Sequence, residues 1–144
     1  MYYLDASLML ARYLGEPRRE EAESIWHGDH EFFTSALTVA ETVVSLRRSV
    51  ASRPGKRKTR WLHAVLSRSE ADFQLVSIVF DLTEPIQIVR QEARLSSCRG
   101  SDAVHVATAL WLYRETGRPV TVASFDSRQR EVAALCGLQL LPVK

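Results

Sequence analysis

Tyr2-Tyr3-Leu4-Asp5-Ala6-Ser7 is the stretch on which the reading of this chain turns. Tyr2-Tyr3-Leu4 is short, aromatic and apolar, and it reads as a buried strand. Asp5-Ala6-Ser7 breaks it, and Leu8 to Leu14 follows as a helix stopped by Gly15. A strand that ends in an acid and runs straight into a helix is one unit, and the rest of the chain repeats the alternation.

Pro17 opens a second helix, about Arg18 to Trp26, closed by Gly28. Phe32-Phe33-Thr34-Ser35 is the second strand. Thr38 to Val50 follows as a helix with the apolar stripe Val39, Ala40, Val43, Val44, Leu46 and Val50. Pro54-Gly55 marks a loop, and Lys56 to Ser69 is the next helix. Phe73 to Val79 is the third strand, and a helix runs from Thr83 to about Ser97. Asp102 to Glu115 is apolar almost all round, which predicts a central, buried helix whose alanines at 103, 107 and 109 allow close approach. Val120 to Ser124 is the fourth strand, Ser127 to Cys136 a helix, and Leu138 to Leu141 a last strand. Strands alternating with helices throughout predict an α/β fold, a parallel sheet with helices on both faces.

The bulk numbers fit one globular unit. The chain has 144 residues, 46% hydrophobic and 25% charged, so it can bury a core without disulfides or structural metal. Its two cysteines, Cys98 and Cys136, form no C-x-x-C pair and no zinc-like spacing, and Cys136 reads as a small core residue. With no signal-like start, this points to a reduced, cytoplasmic setting. The longest near-apolar run, Ala103 to Tyr113, is too short to span a bilayer, so no membrane association is expected. A net charge of +2 favours an anionic partner only weakly.

In a parallel sheet, ligands bind beyond the carboxyl ends of the strands near the point where strand order reverses. Asp5 and Asp126 end the first and fourth strands, Glu41 lies in the first turns after the second, and Asp102 opens the buried helix. Were the first and fourth strands neighbours, all four carboxylates would share one rim. Four acids that close together stay ionised only if cations neutralise them, and an oxygen-only cluster suits Mg2+ or Mn2+. Each acid also has a local alternative. Asp5, Asp102 and Asp126 sit where helix-capping acids sit, and Thr38-x-x-Glu41 fits a capping box.

Four stretches carry a family resemblance. They are Tyr3-Leu4-Asp5-Ala6-Ser7, Thr34 through Glu41, Ser101-Asp102-Ala103-Val104-His105-Val106-Ala107-Thr108-Ala109, and Ser124-Phe125-Asp126 followed by Ala133-Ala134 and Gly137-Leu138. Together they resemble the acidic motifs of the PIN-domain ribonucleases, in particular the VapC-like toxins of toxin–antitoxin pairs. The resemblance spans residues 1–144 as a single PIN domain. It implies a three-layer sandwich around a five-stranded parallel sheet in the order 3-2-1-4-5, with the first and fourth strands side by side. It also implies Mg2+- or Mn2+-dependent endoribonuclease activity, a homodimer and a cognate VapB-like antitoxin. Carried over residue by residue, Asp5 and Asp102 are metal ligands and catalytic groups, Glu41 and Asp126 complete the pocket, and the hydroxyls of Ser7 and Ser124 support it.

An acidic pocket that handles RNA needs basic flanks. Between Thr42 and Ser69 lie Arg47, Arg48, Arg53, Lys56, Arg57, Lys58, Arg60 and Arg68 with no Asp or Glu among them. Arg48, Arg53, Lys56, Arg57, Lys58 and Arg60 are the candidate phosphate contacts, set against the alternative of a merely solvated helical surface. Arg47, on the apolar side of its helix, is expected to snorkel, and Trp61 to pack at a helix or dimer contact. His105, one turn beyond Asp102, is expected to be structural. Two other classes compete: a module that binds RNA or protein without cutting, and a receiver-type phosphoacceptor using Asp81. A PIN-type nuclease that processes RNA without an antitoxin is a third reading.

Overall fold

The computed structural model describes residues 1–15, 17–51 and 58–142. Among these, strands β1 (Tyr2–Leu4), β2 (Phe32–Ser35), β3 (Ser77–Val79), β4 (Thr121–Ala123) and β5 (Gln139–Leu141) form one sheet. Their order is β3-β2-β1-β4-β5, and each neighbouring pair is parallel. The α/β class and the strand order are those expected, and β1 and β4 are indeed adjacent, with Leu4 beside Ala123.

Adjacent strand residues point to opposite faces, and here both faces are covered. Leu4 and Ala123 enter a core with helices α1 (Ala6–Leu14), α2 (Arg19–Trp26), α3 (Ala36–Ser49) and α4 (Lys58–Phe73). Tyr3 and Val122 enter the other, with α5 (Thr83–Gln91), α6 (Gly100–Thr116) and α7 (Ser127–Leu135). This is why the strands read as apolar runs rather than as alternating patterns. Helix α6 buries Ala103, Val106, Ala107, Ala109 and Leu110, so its all-round apolarity does mark the central helix. It ends on Gly117 at φ 64°, a left-handed position that favours glycine.

On the first face, Arg12 is 2% exposed and ties three helices together. Its guanidinium meets Glu23 at 3.0 Å and Asp72 at 2.9 Å and lies 3.9 Å from the Trp26 ring centroid. Arg68 adds a second cation on Glu23, at 2.7 Å.

Several element boundaries differ from expectation for identifiable reasons. Helix α1 starts at Ala6 because the Asp5 side chain caps it, accepting from the Ser7 N–H. Helix α3 starts at Ala36 because Ser35, not Thr38, is its cap. Phe73 is the buried last residue of α4 rather than the first of a strand, so β3 is shorter than its β-rich sequence suggests. The single helix expected from Thr83 to Ser97 breaks at Glu92, whose extended backbone and carboxylate cap a separate 3-10 turn, Ala93–Ser97. Trp61 packs against the first-face core, whereas Arg47 stays exposed. No helix among the described residues is long and apolar enough to cross a membrane.

Candidate active site

The adjacency of β1 and β4 brings Asp5 and Ser124 together at the carboxyl edge of the sheet. Asp5 is 4% exposed. Its Oδ2 accepts from the Ser7 N–H at 3.1 Å, the Ser7 hydroxyl at 2.5 Å and the Ser124 hydroxyl at 3.0 Å. The same two hydroxyls accept backbone N–H groups, Ser7 from Phe125 and Ser124 from Asp126. Ser7 and Ser124 thus lock the ends of β1 and β4 to one carboxylate oxygen. Oδ1 is left with Gln129 Nε2 at 3.2 Å and with His105 Nε2 at 3.7 Å. Charge-assisted bonds of this kind orient a carboxylate firmly.

Glu41 takes no part in a capping box. The Thr38 hydroxyl is buried and turned to the Leu4 carbonyl, and the cap role has passed to Ser35. One turn on, the Glu41 carboxylate meets His105 Nε2 at 2.9 Å. His105 is buried, as its helix predicted, but it is more than a core residue: its Nδ1 lies 2.8 Å from the Tyr3 hydroxyl, which donates to Ser35. Burial opposes charge on this imidazole, yet Tyr3, Glu41 and Asp5 outweigh burial and push its pKa up to about 10. Asp5, Glu41 and His105 each offer a ligand atom within 4.8 Å of the others. His105 Nε2 is hydrogen-bonded to Glu41, so in this arrangement the imidazole is placed to orient that carboxylate.

Asp102 stands in the first turn of α6 and Asp126 caps α7, its Oδ1 accepting from the Gln129 N–H at 3.0 Å. Asp126 is therefore both a helix cap and an exposed acid. Burial raises the pKa of Asp102, and the charges of Asp126 and Asp5 raise it further. Asp5, Glu41, Asp102 and Asp126 all line one cavity of about 480 Å3, with Arg48 and Gln129 also in its wall. The donor chemistry fits a hard divalent cation: four carboxylates line the cavity, and among the described residues no imidazole or thiol lines it. A larger cavity, about 720 Å3 between α3 and α4, holds Arg47 and Glu70 but no carboxylate cluster.

Of the six candidate phosphate contacts, Arg48 alone among the described residues lines the acidic cavity. Lys58 and Arg60 are exposed on α4 without lining it, and Arg53, Lys56 and Arg57 lie outside the described residues. Arg68 is taken by Glu23. Asp81 accepts from the Thr83 N–H at the start of α5 and borders a different cavity, apart from the four acids. Sequence reasoning missed Gln129, 1% exposed, which donates to Asp5 and whose Oε1 has no hydrogen-bond partner among the described residues. It also missed Arg130, whose guanidinium donates to the carbonyls of Ser124, Leu141 and Pro142 and so supports the loop carrying Asp126 from below. The spacing Asp126-x-x-Gln129 reads locally as a capping pattern and nothing more. The inward turn of Gln129 toward a residue 124 positions away leaves no local signal.

The model of the PIN domain family matches residues 2–135. No curated protein matches the sequence. Among solved structures, the fold is similar to FitAcB from Neisseria gonorrhoeae, at 21% identity and a TM-score of 0.62 over 97% of this chain and 96% of that one. VapC20 of Mycobacterium tuberculosis, described as a sarcin-ricin loop cleaving toxin, aligns at 18% identity and a TM-score of 0.62, covering 91% of this chain and 94% of its own. VapBC2 from Rickettsia felis, bound to a DNA fragment from its promoter, aligns at 11% identity and a TM-score of 0.62 with 96% of each chain covered.

Proposed function

The chain belongs to the PIN domain family, and from that premise we propose that it is a divalent-metal-dependent endoribonuclease acting as the toxin of a VapBC-type toxin–antitoxin pair. The observation that carries the reading is the convergence of Asp5, Glu41, Asp102 and Asp126 on one cavity, from four separate stretches of chain. Helix capping explains Asp5 and Asp126 singly, but not why all four carboxylates share a cavity.

Asp5, Asp102, Glu41 and Asp126 would hold Mg2+ or Mn2+. Such a cation, when bound, stabilises negative charge developing on a phosphodiester and lowers the pKa of a water. The chain's own groups prepare the site. Ser7 and Ser124 occupy Oδ2 of Asp5, which leaves Oδ1 toward the cavity. His105 holds Glu41 in place across the α3–α6 interface. Arg48 puts positive charge at the cavity wall, where it can meet an RNA phosphate. Asp126, the most exposed of the four, has its Oδ1 taken by the Gln129 N–H, and Oδ2 is the atom that can orient water.

The similarity to VapC20 and VapBC2 supports the biological half of the reading, in which a VapB-like antitoxin is the partner, and the same reading carries a homodimer. The chemistry is tested by incubating the protein with an RNA pool in Mg2+, in Mn2+ and in excess chelator, beside Asp5→Asn. Cleavage confined to wild type with metal is expected; cleavage that persists in chelator, or equally in the variant, overturns the reading. The partner is tested by co-purification with the product of a small neighbouring gene, and the dimer by solution mass.

A further inference from the structure

Asp102 and Asp126 belong to two cavities at once. One is the acidic cavity with Asp5, Glu41 and Arg48. The other, about 400 Å3, adjoins it at these two acids and is lined also by Arg99, Ser127 and Arg128. Each volume is in the range of ligand pockets, roughly 300–1,000 Å3. Arg99 precedes α6 and Arg128 lies in the first turn of α7, so each arginine is within three residues of a site acid. Both side chains are exposed, and among the described residues neither forms an ion pair or a side-chain hydrogen bond, even with the acids beside it. Uncommitted guanidiniums at the mouth of a cavity are suited to bidentate capture of phosphate. The N-termini of α6 and α7 open toward the same place and add the positive ends of two helix dipoles.

We propose that the Arg99/Arg128 cavity binds the RNA phosphate next to the one being cut, so that the strand runs from Arg48 across the four acids to Arg99 and Arg128. The inference rests on the nuclease reading above. A strand of RNA carries a phosphate at every nucleotide, so it can present one anion at each cationic end and one between them.

The test is steady-state cleavage of a defined single-stranded RNA by wild type, Arg99→Gln/Arg128→Gln, Arg99→Lys/Arg128→Lys, and an Arg90→Gln/Arg114→Gln control with the same charge change. Circular dichroism checks the fold of each. For the glutamine pair, KM rises about tenfold, the scale of one charge-assisted hydrogen bond, with kcat held within about twofold. The log–log dependence of KM on salt becomes shallower by about 0.7 for each phosphate that the protein no longer neutralises. The lysine pair recovers the salt slope, and the control pair matches wild type. An unchanged KM and salt slope overturns the subsite and leaves these arginines to a protein partner. A fall in kcat alone also overturns it, since that signals disturbed acids. Wild type that cuts no RNA under any metal condition defeats the nuclease reading and the subsite together, an outcome distinct from normal cleavage with an indifferent glutamine pair.

Discussion

His105 Nε2 lies 2.9 Å from Glu41 Oε2, joining a buried imidazole on α6 to a half-buried carboxylate on α3. The pair closes a chain that runs from Ser35 through the Tyr3 hydroxyl to His105 and on to Glu41. A strand, its neighbour and two helices from opposite faces of the sheet are thereby bound into one hydrogen-bonded unit. Its outer end is a site acid.

Replacing His105 with Leu, which has no polar atom, should uncouple Glu41 from that unit. The expected loss in kcat is about 10- to 100-fold, the usual effect of removing an orienting partner of a metal ligand. The cost in stability is about 1–3 kcal/mol, because the buried Tyr3 hydroxyl keeps only Ser35 and the half-buried Glu41 carboxylate loses its imidazole partner. Metal affinity should not fall in proportion, since a positive charge has left the site. Turnover, denaturant unfolding and metal titration separate these effects; unaltered kcat would confine the pair to the fold.

Asp126 has two jobs, and two substitutions divide them. Asp126→Asn keeps a good N-cap for α7, so unfolding should be unchanged while cleavage falls at least about tenfold. Asp126→Ala should lose the same activity and about 1 kcal/mol of stability as well. Paired thermal melts and cleavage assays read both quantities.

Gln129→Ala should weaken cleavage by about 10-fold while the four carboxylates stay in place, because Asp5 Oδ1 loses its side-chain donor. The comparison with Gln129→Glu is informative. A carboxylate beside Asp5 repels it and should be the more damaging change, in both melting temperature and kcat.

Divalent metal should stabilise the folded chain by mass action, by about 2.7 kcal/mol at a hundredfold excess over Kd. Chelator should abolish cleavage and lower the melting temperature without unfolding the protein at ambient temperature. In Asp5→Asn the melting temperature should no longer respond to Mg2+ or Mn2+. Differential scanning calorimetry with and without metal measures it.

Away from the site, Glu23 gives a pH-dependent test. Burial would raise its pKa, but hydrogen bonds from Arg68 and Arg12 prevail, and the net shift is downward from the ordinary 4.5. A lowered folded-state pKa means that the ion-paired form adds stability above the ordinary glutamate range. That stability is lost as pH falls through the lowered value. Glu23→Gln should therefore cost about 1–3 kcal/mol at pH 7, where Arg12 and Arg68 are left with one neutral amide oxygen in place of two carboxylate oxygens. Urea titrations of both proteins should converge in the acid range.

Much of this architecture is legible in the linear order of residues. Strand and helix periodicities are local, so the alternation of elements, the buried α6 and the strand-end positions of Asp5 and Asp126 can be read without coordinates. The same locality explains where a linear reading goes astray. Thr38-x-x-Glu41 satisfies a capping pattern, but the Leu4 carbonyl, 34 residues away, draws the Thr38 hydroxyl, and Ser35 takes the cap. Glu41 meets His105 across 64 residues and Gln129 meets Asp5 across 124, distances over which no sequence pattern operates. Nothing local links Arg99 to Arg128, and only the packing of two helix starts sets them around one cavity. The sequence by itself determined the α/β alternation and the strand-end placement of Asp5 and Asp126, because both are properties of neighbouring residues, whereas the strand order and the place of Glu41 rested on the family resemblance. The tertiary structure alone decided which groups lie against those acids, His105 on Glu41 and Gln129 on Asp5, because those pairings exist only once distant segments of chain pack together.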